Sequence, residues 1–179
     1  MTRTIYNTAT SLDGFIATDD HSLEWLFAAD PGEANDEHAE FMRNVGALVS
    51  GAHTYEWILR HEGDRPWPYD VPAWVLTHRD LPRVEGDIRF VSADTDQELR
   101  DLHAQMVEAA DGRDVWVVGG GEIAGRLAEL GLLDEVIVSV APVTLGSGAP
   151  LLARRVDLRV LDVHRAQDFA CARYEVVRP

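Results

Sequence analysis

Val115-Trp-Val-Val-Gly-Gly-Gly-Glu-Ile-Ala-Gly125 decides how this chain is read. Three valines and a tryptophan run straight into three consecutive glycines. Ile123, Leu127 and Leu130 then recur at helical spacing. The stretch predicts a buried strand, a bare backbone turn and a helix N-terminus. The first N–H groups of a helix lack partners and its dipole is positive there, so such a turn suits an anionic ligand. The other reading is a glycine turn that lets helix and strand pack closely.

Gly119-x-Gly121-x-x-Ala124 formally satisfies the dinucleotide fingerprint. A Rossmann unit places that turn after its first strand and an acid about 20 residues on, at the tip of the next strand. Here the turn falls late, and the next strand ends in Val138-Ser-Val-Ala-Pro142 with no acid. A phosphate or nicotinamide site outside the Rossmann order is the expectation.

Working outward, strand-like runs recur at 4–10, 47–50, 73–77, 88–91, 115–118, 135–140, 158–164 and 170–177. Helical spacing marks 33–44, 54–59, 96–110 and 122–130. Asp94-Thr-Asp-Gln gives the third of these a capped start and Gly112 a stop. The alternation predicts an α/β fold with a largely parallel sheet. No helix separates the last two strands, which predicts an antiparallel hairpin at an edge. The segment 60–72 is a loop by its Pro and Gly, with Trp67 and Tyr69 either walling a substrate site or pinning the loop down.

Composition bounds the function. A chain of 179 residues predicts one domain, and 46% hydrophobic with 26% charged residues is a globular balance. A net charge of −15 argues against nucleic-acid or membrane-surface partners. All 16 basic residues are Arg. Without Lys there is no Schiff base and no Walker-type phosphate lysine. A single cysteine, Cys171, excludes an internal disulfide and a multi-Cys zinc site. No paired-His spacing occurs, so no catalytic metal is expected. His21, His38, His61, His103 and His164 read as scattered surface residues. With no signal-like or membrane-length apolar run, the expected location is the cytoplasm.

Two further segments complete the pattern. Ala47-Leu-Val-Ser-Gly-Ala-His-Thr-Tyr-Glu-Trp57 is a second strand–glycine–helix turn, where His53 and Thr54 offer donors to an anion. Asn7-Thr-Ala-Thr-Ser-Leu-Asp-Gly-Phe-Ile-Ala17 breaks at Asp13-Gly14, which by itself reads as a hairpin turn.

The ordered set resembles the dihydrofolate-reductase superfamily, in the branch of the riboflavin-biosynthesis reductase domain. Ser11-Leu-Asp-Gly-x-Ile-Ala17, Gly51-x-x-Thr-Tyr55, Gly119-Gly-Gly-Glu-x-Ala124, Gly131-Leu-Leu-Asp-Glu-Val136 and Pro142-Val-x-Leu-Gly-x-Gly148 carry the likeness along nearly the whole chain. The resemblance implies a three-layer fold with a mixed, mostly parallel sheet, helices on both faces and an antiparallel C-terminal hairpin. It implies an NAD(P)H-dependent reductase acting on a C=N or C=O of a small heterocycle such as a pyrimidine or pterin, and a homodimer.

By motif position the resemblance puts the backbone of Ala9 and Ile16 around the nicotinamide. Gly51 and Ala52 would be cofactor-binding positions, and His53 and Thr54 beside them would meet the pyrophosphate. Gly119, Gly120 and Gly121 would approach from the other side, with Glu122 and Ile123 opening that helix. Thr77, His78 and Arg79 would face the adenosine. Ala52 stands where the family has an Arg that holds the 2′-phosphate of NADPH, which leaves NADH open as cofactor unless Arg79, His78 or His53 substitutes. Glu37, on the face of Phe41, and Asp13, near the nicotinamide end, are the carboxylate candidates for proton donation. The competing roles are a solvated acid for Glu37 and a turn residue for Asp13. The loops 18–36 and 60–72 would supply substrate contacts. A nucleotide-binding protein with little catalysis, and an interaction protein with packing glycines, are the competing functional readings.

Overall fold

A computed structural model describes residues 1–178. Eight strands form one sheet in the order β5-β4-β3-β6-β1-β7-β10-β9. These are β1 (Thr4–Ser11), β3 (Val45–Gly51), β4 (Ala73–Leu76), β5 (Ile88–Val91), β6 (Asp114–Val117), β7 (Glu135–Ala141), β9 (Leu158–Ala166) and β10 (Phe169–Val176). The first six pair in parallel; β10 runs antiparallel to both β7 and β9. The expected edge hairpin is therefore present.

β3 and β6 are buried along almost their whole length, as central parallel strands covered on both faces must be. Helices α1 (Ala34–Arg43) and α2 (Ala52–Glu62) lie on one side and α3 (Asp96–Ala109) and α4 (Gly121–Glu129) on the other. Tyr6, Val49, Val117, Met106 and Leu127 anchor the core beneath α3 and α4. Leu48, Tyr55, Ile58, Trp67 and Trp116 build a second core beneath α2. α1 buries none of its residues fully.

The start of α3 carries a full capping box: Thr95 Oγ1 accepts from the Glu98 N–H, and Glu98 accepts from the Thr95 N–H at 2.8 Å. At the opposite end of the sheet from the glycine turns, Arg3 bonds Asp114 at 2.7 Å and Glu135 at 2.8 Å. Arg173 bonds Glu135 at 2.6 Å, so four strands are tied at their lower ends.

Two expectations change. Asp13-Gly14 does not close a hairpin. The chain leaves β1 there and enters β2 (Phe15–Ala17), which pairs with β8 (Ala149–Pro150) in a separate two-stranded sheet. And α2 begins two residues before Thr54, because Gly51 already holds the extended backbone (φ −88°, ψ 171°) of an N-cap. Among the described residues no helix is long and apolar enough to cross a membrane.

Candidate active site

β3 and β6 are neighbours, with the Val118 N–H donating to the Val49 carbonyl at 2.9 Å. From β3 the chain passes through α2 towards β4; from β6 it passes through α4 towards β7 on the other flank. The two helices therefore diverge to opposite faces, and a crevice opens between their N-termini at the carboxyl ends of the strands. That is the topological switch point at which open α/β sheets bind ligands.

The glycines make this crevice possible. Gly120 sits at φ +93°, a left-handed conformation that side chains rarely adopt. A Cβ on Gly119 would lie 2.7 Å from Thr54 Oγ1, so the two turns touch there. A Cβ on Gly121 would lie 2.3 and 2.5 Å from the carbonyl oxygens of Pro150 and Leu151. The second sheet is thus pressed against the start of α4 and forms the third wall. The cleft encloses about 350 Å³.

Of the expected cofactor residues, Ile16, His53, Thr54, Gly119, Gly120, Gly121 and Glu122 line the cleft. Ile123 bridges its two turns: its Cδ1 lies 3.3 Å from a Cβ position on Gly120 and 3.8 Å from one on Gly51. Ala52 is the first residue of α2, beside His53. Thr8 lines the cleft in place of Ala9. Ala9 has the opposite strand parity and pairs with Ser139. Thr77, His78 and Arg79 lie past β4, outside the cleft lining. There Arg79 is held by Glu56 at 2.5 Å and His78 by Asp94 at 2.8 Å. Glu122 is paired with Arg154 at 2.5 Å.

Sequence reasoning missed His21. Its ring stacks on His53 with centroids 3.9 Å apart and 20° between planes, on the cleft wall. His21 reaches this position with a positive φ of 60°. Burial, then the neighbouring His21, pushes the His53 imidazole below its ordinary pKa. Leu23, Trp57, Ile58 and Tyr69 make the facing wall apolar. Burial pushes the Tyr69 hydroxyl up to about 12. In the 60–72 loop, Trp67 is part of the core and pins the loop down, and Tyr69 packs against that core and lines the cleft. From the other expected loop, Phe27 stacks over His61 at 5.7 Å, and Trp25 packs against the small core of Ala141, Ala166, Phe169 and Cys171.

The histidines are not uniformly surface residues. His103 bonds Thr4 Oγ1 at 2.7 Å, and His38 sets its ring against Trp116 at 5.4 Å while the residue as a whole stays exposed. Burial lowers the pKa of both. His164 is clamped by Asp162 and Glu37, which raise its pKa in that order.

The two carboxylate candidates stand away from the cleft lining. Asp13 accepts from Ser11 Oγ at 2.6 Å and from the backbone N–H groups of Leu145 and Gly146 at 3.0 and 2.7 Å. Those bonds, Ser11 first, hold its pKa at about 2. An ionised acceptor engaged by three donors suits a loop anchor and not a proton donor. Glu37, on α1, spends its carboxylate on His164 Nε2 at 2.8 Å.

The sheet order, the capping glycines and the antiparallel edge define a reductase-like α/β fold of the dihydrofolate-reductase-like superfamily. The chain belongs to the RibD C-terminal domain family, which matches residues 3–171. It is 30% identical to the protein YwjB of Bacillus subtilis (strain 168) over 149 residues, covering 83% of this chain and 82% of that one. Among solved structures it resembles a protein of Shewanella sp. PV-4 provisionally assigned to riboflavin biosynthesis, with TM-score 0.78, 26% identity, and 98% and 99% of the two chains covered. The diaminohydroxyphosphoribosylaminopyrimidine deaminase/5-amino-6-(5-phosphoribosylamino)uracil reductase of Thermotoga maritima shares the fold at TM-score 0.66 and 15% identity. There this chain is covered to 98% and spans 57% of the other.

Proposed function

We propose that this protein is an NAD(P)H-dependent reductase that delivers a hydride to a C=N or C=O of a small heterocycle, of the pyrimidine or pterin kind. The observation that carries this reading is the convergence of two helix N-termini on one glycine-lined crevice at the switch point. The donor set suits a dinucleotide: Gly119 and Gly120 keep the turn free of side chains, and a Cβ on them would meet Thr54 and Ile123 at the starts of the two helices. When bound, the nicotinamide supplies the hydride.

The chain's own residues bind and orient. Backbone N–H groups at the starts of α2 and α4 hold the pyrophosphate, with the Thr54 hydroxyl and the His53 ring beside them. Leu23, Trp57 and Tyr69 exclude water from the substrate side and present flat apolar surface to a planar ring. Glu122 is the one carboxylate among the described residues that line the cleft, and it is paired with Arg154. Proton supply thus falls to the His21–His53 pair or to solvent. This reading sets NADPH first as cofactor, with NADH admitted by Ala52, and a cytoplasmic setting.

Steady-state oxidation of NADPH and NADH against a panel of pyrimidine and pterin substrates tests the reading. The lack of an unpaired acid among the described residues of the cleft favours one alternative, a nucleotide-binding protein without efficient catalysis. Tight cofactor binding with no turnover on the panel selects that alternative. No binding of either cofactor at millimolar concentration eliminates both.

The partner in this reading is a second copy of the chain. β9 is an edge strand exposing Val160, Leu161 and Val163 at 59%, 48% and 62%. An apolar edge of this length invites pairing with another strand. Sedimentation should show a dimer that Val163→Lys dissociates; a monomeric wild-type chain refutes the pairing.

A further inference from the structure

Three side chains with no part in the cleft meet between α1 and the C-terminal hairpin. Glu37 comes from α1, His164 from β9 and Cys171 from β10, where Cys171 and His164 are cross-strand partners. One potential ligand atom from each lies within 4.8 Å of the other two. Glu37 Oε1 is 2.8 Å from His164 Nε2. The other ring nitrogen of His164 is 2.7 Å from Asp162 Oδ2. Cys171 is buried, with Ser139 Oγ at 3.7 Å as its polar neighbour, while Glu37 and His164 open to solvent.

We propose that Glu37, His164 and Cys171 form a zinc site, with solvent in the fourth position and Asp162 fixing the His164 ring. A thiolate, an imidazole and a carboxylate are the donor types zinc takes, and three protein ligands with one open position is a known form of such sites. A carboxylate bonded to the second nitrogen of a ligating His is the usual outer partner, setting both its tautomer and its orientation. The charges balance: a thiolate and a carboxylate neutralise one dication. Among the described residues, no Arg bonds Glu37, Asp162 or Cys171, so no side-chain guanidinium does this work already. An ion pair between Glu37 and His164 alone would need neither Cys171 nor Asp162. The site would also clip α1, which buries no residue fully, to the edge hairpin.

The test uses the full chain, freed of any affinity tag, reduced and stripped with a chelator. Titration with Co²⁺ should produce a near-ultraviolet thiolate-to-metal charge-transfer band and tetrahedral visible bands, and Zn²⁺ should displace both. Cys171→Ser should abolish the charge-transfer band. Glu37→Gln and His164→Ala should each weaken Co²⁺ binding at least tenfold. Asp162→Asn should keep the band and weaken binding about 10–100-fold. Cys171→Ser is close to isosteric, and the other positions are exposed, so unfolding does not obscure the result. Absence of the band in the wild-type chain overturns the proposal. So does a band that survives Glu37→Gln and His164→Ala at full affinity, which would mark a lone thiol. No readout involves cofactor or turnover, so the result is independent of the reductase reading.

Discussion

Alanine substituted in turn at Gly119, Gly120 and Gly121 should give three different outcomes, because each glycine is required for a different reason. At Gly121 a Cβ would sit 2.3 Å from a backbone oxygen of Pro150 and 2.5 Å from one of Leu151, where real contacts stay above 3.0 Å. Relief needs β8 to move by about 0.7 Å, the difference of those distances. Backbone cannot rotate away, so the cost should sit at the top of the overpacking range, about 3 kcal/mol. For a chain of this size that lowers Tm by roughly 6–12 °C. At Gly120 the neighbours are the flexible end of Ile123 at 3.3 Å, and the cost is the φ of +93°, about 1–2 kcal/mol. That is a Tm loss of roughly 2–8 °C. At Gly119 the clash is with the Thr54 hydroxyl, which can rotate, so stability should change by less than about 1 kcal/mol. In the proposed binding mode, rotating Thr54 would remove its bond to the cofactor, which should weaken NADPH binding about tenfold. Thermal denaturation and a cofactor titration followed by tryptophan fluorescence read both quantities. A Tm for Gly121→Ala equal to wild type, or Gly119→Ala as the most destabilised of the three, refutes the packing argument.

Three further predictions use other parts of the molecule. Ala52→Arg places a guanidinium at the start of α2 beside His53, and should shift the ratio of NADH to NADPH dissociation constants roughly ten- to a hundredfold towards NADPH; an unchanged ratio shows that the 2′-phosphate lies elsewhere. The His53 imidazole is lowered in pKa in the free protein, and a bound phosphate raises it, so binding takes up protons. Arg79, Arg60 and Glu56 also face His53, and none of them changes charge near neutrality. NADPH affinity should therefore fall as pH rises through neutrality, by at most about tenfold per pH unit per proton, and His53→Gln should flatten the slope. At the lower edge of the sheet, burial opposes ionisation of Asp114 and Glu135, but the bonds from Arg3 to Asp114 and from Arg173 to Glu135 outweigh it and lower both pKa values. Their stabilisation is complete near neutral pH and is lost as pH falls through the depressed folded values. Tm should drop below about pH 4, and less steeply in Glu135→Gln than in the wild type.

How much of the fold is legible in the sequence depends on range. The bounds of Ile88–Val91 and the position of the 119–121 turn can be read directly, because a short apolar run and a glycine cluster are local signals. β8, two residues ending in Pro150, offers no period at all and appears only through its pairing with β2. Asp13-Gly14 carries a genuine turn signal, but the path of the chain beyond a turn depends on which strand edge is free, and β1 is already flanked by β6 and β7. The stacking of His21 on His53 joins residues 32 positions apart through a backbone of unusual φ. Glu37 and His164 are 127 positions apart. No spacing rule reaches such pairs, which is why the absence of paired-His spacing speaks only to metal motifs within one segment.

The charge of the chain sharpens the case for the switch-point crevice. A molecule at −15 repels a dinucleotide at long range. Affinity must come from groups that act within a few ångströms, and the cleft wall holds no Arg and no Lys among its described residues. Glu122, the negative group on that wall, is paired with Arg154, which it shares with Glu129. The remaining partners are two helix N-termini and two imidazoles. Helix dipoles act only within about the first turn, and the exposed ones are screened by salt. The Gly119–Thr54 contact brings the two turns together, so both dipoles can act on a single phosphate group. Salt should then change NADPH binding only modestly, since the attractive partners are backbone dipoles at contact distance and salt also screens the long-range repulsion. An arginine at position 52 would add a strong charge–charge term and with it a steeper salt dependence. Comparing the salt slopes of the wild type and Ala52→Arg separates dipole binding from charge binding: parallel slopes would mean that the phosphate already rests on a guanidinium, for which Arg79, freed from Glu56, and Arg60 are the two that act on His53.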